Sequence, residues 1–143
     1  MPEKIRWGIM GTASFASWLL EPIRRASRSQ LVAVASRNLE RAQIYAKEHG
    51  IPKAHGSYDS LLADSEVDVV YLPLPNSLHC RWTIKAAHAG KHVLCEKPLS
   101  IYYRESEELI RLAKKVNKIL FLGHVFLFHN GIIRFLELIK ILI

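Results

Sequence analysis

Cysteine is scarce in this sequence, and its scarcity excludes two kinds of site. The 143 residues include only two cysteines, Cys80 and Cys95, and both lie in apolar surroundings. We therefore expect buried, reduced thiols, with neither a disulfide framework nor the ligand spacing of a metal site. No metal site is predicted.

Long uncharged apolar runs are also missing. Residues 1–8 contain no secretory apolar core, so a cytoplasmic protein is expected. Residues 119–143 are rich in apolar side chains, but Arg134, Glu137 and Lys140 interrupt them. A transmembrane helix needs about 20 predominantly apolar residues with few or no charges. The sequence therefore predicts no membrane partner.

Acidic residues are in the minority. The chain has 13 Asp and Glu against 20 Lys and Arg, which gives a net charge of +7. The basic residues are scattered, and no aromatic side chains interleave with a basic stripe as they do on nucleic-acid-binding surfaces. Nucleic-acid binding is a hypothesis that rests on charge alone, and no nucleic-acid partner is predicted. Part of the excess positive charge would suit the binding of an anionic small ligand.

Short apolar runs alternate with helical patterns along the chain. The runs have strand length and lie at residues 5–10, 31–35, 67–74, 92–95 and 119–122. Because they show little period-2 alternation, they suit strands that are buried on both faces of a parallel sheet. Between them, apolar residues recur at helical spacing. This order predicts an α/β fold with a doubly wound parallel sheet, the Rossmann architecture.

A small-residue turn follows the first predicted strand and opens the first predicted helix. It resembles the dinucleotide fingerprint G-x-G-x-x-G or A, in which the first glycine allows a tight turn and the last small residue lets helix and strand approach. The helix N-terminus would offer N–H groups to a pyrophosphate. Ala13 replaces the middle glycine, and the Ser14 hydroxyl offers partial compensation. The alternative is an ordinary turn. The residues are Gly11, Thr12, Ala13, Ser14, Phe15 and Ala16.

The second strand is followed by cations where a carboxylate is common. An NAD-preferring site usually has an acid about 20 residues past the glycines, but here Ser36, Arg37 and Asn38 follow the strand, with Arg41 one turn on. Guanidinium groups pair bidentately with phosphate oxygens. The pattern favours NADP, with NAD as the alternative. A solvated helix start, with Asn38 as its N-cap, would explain the same residues without a cofactor.

The predicted strand at residues 67–74 ends in a loop with two prolines. Cofactor sites in open α/β sheets lie at the carboxyl ends of strands, so this loop is expected to run beside the cofactor. Its polar groups are Asn76 and His79, for which local roles in a turn and in the first helical turn are the alternatives. The predicted cofactor-binding residues are Leu72, Pro73, Leu74, Pro75, Asn76 and His79.

The predicted strand at residues 92–95 is followed, without a turn residue, by a carboxylate, an ammonium and a proline. If this strand is parallel to those at residues 5–10 and 67–74, Glu96 and Lys97 emerge at the same edge. Pro98 restricts Lys97 to extended geometry, so the direction of the lysine is partly fixed. A cation there can hydrogen-bond ribose hydroxyls and a substrate oxygen, or donate a proton. The alternative is a surface ion pair, which would contribute little to the stability of the fold.

These segments resemble the N-terminal domain of the glucose–fructose oxidoreductase, inositol dehydrogenase and MocA family. The likeness rests on residues 6–16, 35–42, 74–79 and 89–98, and is greatest to the branch of dihydrodiol dehydrogenases and anhydrofructose reductases, which favours NADP. The resemblance implies a Rossmann domain that binds NAD(P), with Lys97 beside the nicotinamide as the catalytic candidate. It also implies that Glu96 and Pro98 shape the loop.

The resemblance also bears on domains and partners. Residues 1–124 are expected to form the dinucleotide-binding domain, and residues 125–143 an apolar extension that begins the family's second domain. That second domain, which supplies most of the substrate pocket, is expected to be absent. Leu127 and Asn130 depart from the branch, where an arginine and a proline are expected. The apolar helix expected over 131–143 predicts a homo-oligomer.

Two functions follow. The first is an NADP-dependent oxidoreductase, or its cofactor-binding domain, that transfers a hydride between nicotinamide and a hydroxyl or carbonyl carbon of a sugar, diol or similar small molecule. Such a substrate would bind if a second domain were supplied. The second is a non-catalytic NADP-binding module or truncated pseudo-enzyme that self-associates or pairs with another chain.

Overall fold

Strands and helices alternate along the chain in a computed structural model that describes residues 4–124 and 129–142. The strands are β1 Ile5–Met10, β2 Ser29–Ala35, β3 Lys53–His55, β4 Val69–Leu72, β5 His92–Cys95 and β6 Leu120–Leu122. The helices are α1 Leu20–Arg25, α2 Leu39–Glu48, α3 Tyr58–Ala63, α4 Asn76–His88, α5 Tyr103–Val116 and α6 Asn130–Leu142, with a 3₁₀-helix at Ser14–Leu19 before α1.

The six strands form one sheet in the order β3-β2-β1-β4-β5-β6, and every pair of neighbours is parallel. This order places β1 and β4 side by side, so the strand order reverses direction between them. It is the doubly wound Rossmann arrangement, and it confirms the predicted fold class. Because all strands are parallel, the loops that follow them emerge at one edge of the sheet.

Two apolar clusters cover the two faces of the sheet. On one face Met10, Val70 and Val93 contact residues of α3 and α4, among them Leu61 and Trp82. On the other face the neighbouring strand positions point to α1 and α2. That second cluster contains Ile9, Leu20, Ile23, Leu31, Val34, Tyr45, Ala46 and Tyr71. Burial on both faces explains why the strand sequences are apolar runs without alternation.

The predicted strand positions are confirmed for β1, β2, β4, β5 and β6, with differences at their ends. β4 covers Val69–Leu72 rather than residues 67–74, because Pro73 has no N–H with which to continue the ladder. The sequence missed β3, whose three residues Lys53–His55 include only one apolar side chain. A strand that short gives no hydrophobic run, and its pairing with β2 stabilises it instead.

The first helix begins differently from the prediction. An α-helix was expected to start directly after the glycine turn, but a 3₁₀-helix occupies Ser14–Leu19 and α1 starts only at Leu20. Pro22 explains the delay, because proline has no N–H for the α-helical bond to residue 18 and is tolerated only in a first helical turn. The N–H groups that were predicted to bind a pyrophosphate therefore lie at the start of a 3₁₀-helix and not of an α-helix.

The second helix has the predicted cap. The Asn38 side chain accepts a hydrogen bond of 3.0 Å from the Arg41 N–H, which satisfies one unpaired donor of the first turn of α2. The helix ends at Glu48 with His49 as its C-cap, and Gly50 follows with a φ of +58°. The Ile51 N–H donates to the Ala46 carbonyl at 2.8 Å, the long bond of a Schellman motif.

Two apolar surfaces remain uncovered among the described residues. A cavity of about 830 Å³ lies at the amino ends of the central strands and is lined by side chains that include Ile5, Trp7, Val69, Leu94 and Phe121. Helix α6 exposes large apolar side chains as well, namely Ile132, Ile133, Phe135 and Leu136. Of the two expected departures from the family, Asn130 begins α6, whereas Leu127 lies outside the described residues, as do residues 125–128 and Ile143. No helix in the described part of the chain could cross a membrane.

Candidate functional site

The polar candidates predicted from the sequence follow β1, β2, β4 and β5. These four strands are neighbours in the order β2-β1-β4-β5. Their carboxyl ends meet at one edge of the sheet, which we call the carboxyl edge, and the reversal point between β1 and β4 lies at its centre. Ligands of open α/β sheets bind in the crevice at such a reversal point. The 830 Å³ cavity lies at the opposite, amino-terminal edge, and its lining contains none of the predicted site residues.

Gly11 ends β1 in a conformation that requires glycine. Its φ is +121°, and its N–H donates to the Ala35 carbonyl at 2.8 Å. A β-carbon on Gly11 would lie 3.2 Å from Leu74 Cδ2 and 3.9 Å from the Pro73 carbonyl oxygen. The chain therefore turns away from the sheet tightly against the β4 loop, as the fingerprint predicts.

The residues after Gly11 form an open backbone cradle. Ala13, Ser14 and Phe15 are exposed, and their N–H groups have no hydrogen-bond partner among the described residues. Ala13 has ordinary extended angles, φ −71° and ψ 146°, so the alanine at the middle glycine position causes no strain. Ala16 is fully buried and lets the 3₁₀-helix approach β1. Unpaired N–H groups beside a strand end fit an anionic phosphate.

The residues after β2 present two guanidinium groups to solvent. Arg37 and Arg41 are both exposed, and an open cleft of about 240 Å³ is lined by Arg41 and Thr12 among others. Ser36 is nearly buried, and its hydroxyl accepts the Asn38 N–H at 3.3 Å, so its own proton can still be donated. Asn38 has the capping role that the sequence left open. The Ser36 hydroxyl and the guanidinium groups of Arg37 and Arg41 are suited to bind a phosphate monoester on the ribose.

A buried tyrosine lies near Arg37. The positive Arg37 side chain is close to the hydroxyl of Tyr58, the first residue of α3. Burial raises the pKa of Tyr58, and the positive Arg37 guanidinium offsets part of that rise. A guanidinium has five N–H donors in a planar fork, so one contact with Tyr58 leaves donors for an anion. Sequence reasoning missed Tyr58, which lies 21 positions from Arg37.

The loop after β4 is only partly available to a ligand. The side chains of Leu72, Pro73 and Leu74 are buried, so a cofactor could touch these three residues only through backbone atoms. Pro75 and Asn76 are exposed at the start of α4. The predicted contacts in this loop are therefore limited to its outer part.

His79 has a structural role instead of the expected direct contact. The residue is fully buried. Its Nδ1 lies 2.6 Å from the Pro98 carbonyl oxygen, and its Nε2 lies 2.7 Å from the Leu74 carbonyl oxygen. A ring without exposed surface cannot touch a bound cofactor. His79 instead joins the loop after β4 to the loop after β5, and the long-range contact with Pro98 was not foreseen.

Glu96 and Lys97 point in different directions. The Glu96 carboxylate turns toward the sheet, where it accepts a hydrogen bond of 2.9 Å from the Tyr71 hydroxyl. The Lys97 side chain is exposed, and its ammonium has no hydrogen-bond or ion-pair partner among the described residues. The peptide bond between Lys97 and Pro98 is cis. The alternative of a surface ion pair between Glu96 and Lys97 is thus wrong, and a cation is available at the carboxyl edge.

Comparison with known proteins identifies this arrangement. The family model of Gfo/Idh/MocA proteins, described as an oxidoreductase family with an NAD-binding Rossmann fold, matches residues 5–124. The chain belongs to the Gfo/Idh/MocA oxidoreductase family. The match covers β1 to β6 and all the predicted site residues, and it confirms the resemblance inferred from the sequence.

Similar proteins of this family include dehydrogenases and reductases. An uncharacterized oxidoreductase from Rhizobium meliloti is 51% identical over 77% of this chain, and D-xylose 1-dehydrogenase (NADP(+)) 2 from Haloferax volcanii is 41% identical over 93%. A crystal structure of a 3-ketoreductase from Actinomadura kijaniata, in complex with TDP-benzene and NADP, superposes with a TM-score of 0.88 at 34% identity over 96% of the chain. The chain spans 32%, 41% and 44% of these three proteins, less than half of each.

In this Gfo/Idh/MocA domain, sequence reasoning did not predict the hydrogen bond between Tyr71 and Glu96. The sequence contains one sign of such a contact, because Tyr71 stands in an otherwise aliphatic strand and a buried tyrosine needs a hydrogen-bond partner for its hydroxyl. The register pairs Tyr71 with Leu94 and Leu72 with Cys95. Glu96 therefore follows directly beyond the paired residues, within reach of the Tyr71 side chain.

Proposed function

We propose that this chain is the NADP-binding part of an oxidoreductase that transfers a hydride between nicotinamide and a hydroxyl or carbonyl carbon of a small polyol, sugar or diol. The observation that carries the proposal is the exposed, unpaired ammonium of Lys97 at the same sheet edge as the glycine turn and the two arginines. Relatives named for D-xylose, 1,5-anhydro-D-fructose and dihydrobenzene diol support the substrate class.

Arg37 and Arg41 support the choice of NADP over NAD. The position after β2 holds Ser36 and Arg37, whereas an acid in this region would bind the ribose hydroxyls of NAD and repel a 2′-phosphate. Two exposed guanidinium groups instead match a phosphate monoester in charge and in geometry. The relative named as NADP-dependent and the solved reductase complex with NADP are in keeping with this assignment.

Each part of the carboxyl edge has a separate task in this proposal. The free N–H groups of Ala13, Ser14 and Phe15 hold the pyrophosphate, and Arg37 and Arg41 hold the 2′-phosphate. Lys97 points its ammonium toward the oxygen of the reacting carbon, where it orients that oxygen and holds or releases a proton. When bound, the nicotinamide supplies or accepts the hydride.

The test is turnover of NADPH with a panel of sugars, diols and dicarbonyls, with Lys97→Met as the matched variant. The proposal expects substrate-dependent oxidation of NADPH that falls strongly in Lys97→Met, while binding of NADPH to the variant persists. Equal turnover by the two proteins would show that Lys97 is structural. The proposal retains the cytoplasmic location that was expected from the sequence.

The second candidate is a non-catalytic NADP-binding module that associates with a second copy of the chain. The observation that favours it is the exposed apolar surface of α6, where Phe135 and Leu136 are 58% and 48% exposed. The same chain offers a complementary apolar surface in the 830 Å³ cavity beside Trp7 and Phe121. Saturable NADPH binding without turnover of any of the compounds in the panel would favour this candidate.

A further inference from the structure

Tyr71 and Glu96 form a partly buried polar contact at the carboxyl edge. Tyr71 is 2% exposed, and its hydroxyl donates to Glu96 Oε1 at 2.9 Å. Burial and the neighbouring carboxylate both raise the pKa of Tyr71, so the hydroxyl keeps its proton and remains a donor. A hydrogen bond to a charged acceptor in a covered position is stronger than a neutral one.

The same carboxylate is tied to the Lys97 backbone. Glu96 Oε2 accepts the Lys97 N–H at 3.3 Å, and the Glu96 N–H donates to the Leu72 carbonyl at 3.3 Å. Gly123 closes the third side, because a β-carbon there would lie 3.4 Å from Glu96 Cδ. The Glu96 side chain is thus held between β4 and the end of β6, and it links Tyr71 directly to the backbone that bears the catalytic candidate.

We propose that Tyr71 is a positioning residue for Lys97, which acts through the Glu96 carboxylate to fix the backbone from which the Lys97 ammonium reaches the nicotinamide end of the cofactor site. The inference rests on the proposed function and adds a residue to it. Tyr71 touches neither cofactor nor substrate in this account, because its side chain is buried beneath the loop.

Tyr45 supplies a matched comparison within the same apolar cluster. It lies on α2 and is 7% exposed, and its buried hydroxyl has no hydrogen-bond partner in the described part of the chain. Removing either hydroxyl changes the same amount of core volume, but only Tyr71 is connected to Glu96 and Lys97. Tyr45→Phe removes a buried hydroxyl without breaking a hydrogen bond among the described residues, whereas Tyr71→Phe also removes the donor to Glu96, so a positioning effect would be confined to Tyr71.

The experiment compares two probes that differ in the nicotinamide half. NADPH reports the whole site, and adenosine 2′,5′-bisphosphate reports the adenosine side alone; both are titrated calorimetrically into the full chain. For Tyr71→Phe we expect NADPH binding about 3- to 10-fold weaker and bisphosphate binding unchanged within about twofold. Tyr45 also lines the 240 Å³ cleft on the adenosine side, which both probes occupy, so Tyr45→Phe should change the two affinities by the same factor. Glu96→Gln, a second variant that alters the contact without altering the core, should repeat the Tyr71→Phe pattern.

A double-mutant cycle separates positioning from simple stability. Lys97→Met should weaken NADPH binding, and adding Tyr71→Phe to it should cause little further loss, because the two residues act as one unit. Additive losses, equal losses for both probes, or an unaffected Tyr71→Phe would overturn the inference. If the unmutated chain binds neither probe, the proposed function itself fails, a result distinct from a defect confined to the variant.

Discussion

Gly11 lies so close to Leu74 that a side chain on the glycine would displace the Leu74 side chain. A β-carbon on Gly11 would approach Leu74 Cδ2 to 3.2 Å, and the φ of +121° is one that other residues rarely adopt. The contact fixes the distance between the turn after β1 and the loop after β4. These two loops border the reversal point of the sheet, so the cradle proposed for the phosphates depends on it.

Gly11→Ala should therefore weaken NADPH binding. The variant combines unfavourable backbone angles, at about 1–3 kcal/mol, with a displaced Leu74 beside the cradle. Gly90→Ala is the control, because Gly90 also has a positive φ of +76° but has nothing within 4 Å of its would-be β-carbon. Calorimetric titration should show at least tenfold weaker NADPH binding for Gly11→Ala and an unchanged affinity for Gly90→Ala. Similar affinities in both variants would refute the cradle.

Arg37→Asp should remove or reverse the preference for NADPH over NADH. The change replaces a phosphate-binding cation with a carboxylate, and the loss of a charge-assisted pair costs about 1.5–3 kcal/mol. Arg111→Asp on the exposed side of α5 alters the net charge equally and serves as the control. Fluorescence titration with both cofactors provides the measurement. A control variant that loses the preference as fully as Arg37→Asp would mean that net charge alone attracts the cofactor.

Asp68 predicts a defined pH dependence of stability. The Arg6 guanidinium, which donates to Asp68 at 2.9 and 2.7 Å, holds the pKa of this carboxyl below its ordinary value of 3.8. A carboxyl with a lowered pKa in the folded state contributes stability above pH 3.8, and the contribution is lost as the pH falls through the folded-state pKa.

Asp68→Asn should accordingly lower the free energy of unfolding by about 1 kcal/mol at pH 7, since both partners are partly exposed. The difference should shrink as the pH is lowered below 3.8 in urea unfolding experiments. Asp59→Asn, in the exposed pair with Lys85, should change stability by less than about 0.5 kcal/mol. An Asp68→Asn deficit that is the same at pH 7 and pH 3 would show that the ion pair is not its cause.

The exposed side of α6 predicts self-association. Burying a large apolar side chain is worth roughly 1.5–3 kcal/mol, so the double change Phe135→Asp and Leu136→Asp should weaken association by at least about 100-fold. Ile110→Asp provides the control, because Ile110 is 53% exposed on α5. Light scattering should then show the shift toward monomer only for the α6 variant. An unmutated chain that is monomeric at high micromolar concentration would rule out the second candidate function.

Local chemistry made much of the fold predictable. The apolar runs gave the positions of β1, β2, β4, β5 and β6, and Asn38 and Gly50 gave the ends of α2, because caps and apolar periodicity act within a few residues. β3 was missed because only its pairing with β2 makes it a strand. The 3₁₀-helix was missed because apolar periodicity does not show that Pro22 lacks the N–H for an α-helical bond to residue 18.

The candidate site was predictable by residue but not by contact. Lys97 and Arg37 were found from their positions after strands, and both are exposed at the carboxyl edge. The contacts beside them join residues that are distant in sequence, since Tyr71 lies 25 positions before its partner Glu96. Such pairs depend on which strands are neighbours and in what register. His79 could not be placed from the sequence for the same reason, because its burial between two loops follows from tertiary packing alone.

Calorimetric titration of the unmutated chain with NADPH and with NADH tests the central claim most directly. The account predicts saturable one-to-one binding of NADPH, at least about tenfold tighter than that of NADH, because the two arginines add charge-assisted contacts to the 2′-phosphate. Circular dichroism in the same buffer establishes that the chain is folded. Equal affinities for the two cofactors would contradict the assignment of the arginines, and a folded chain that binds neither would contradict the proposed function.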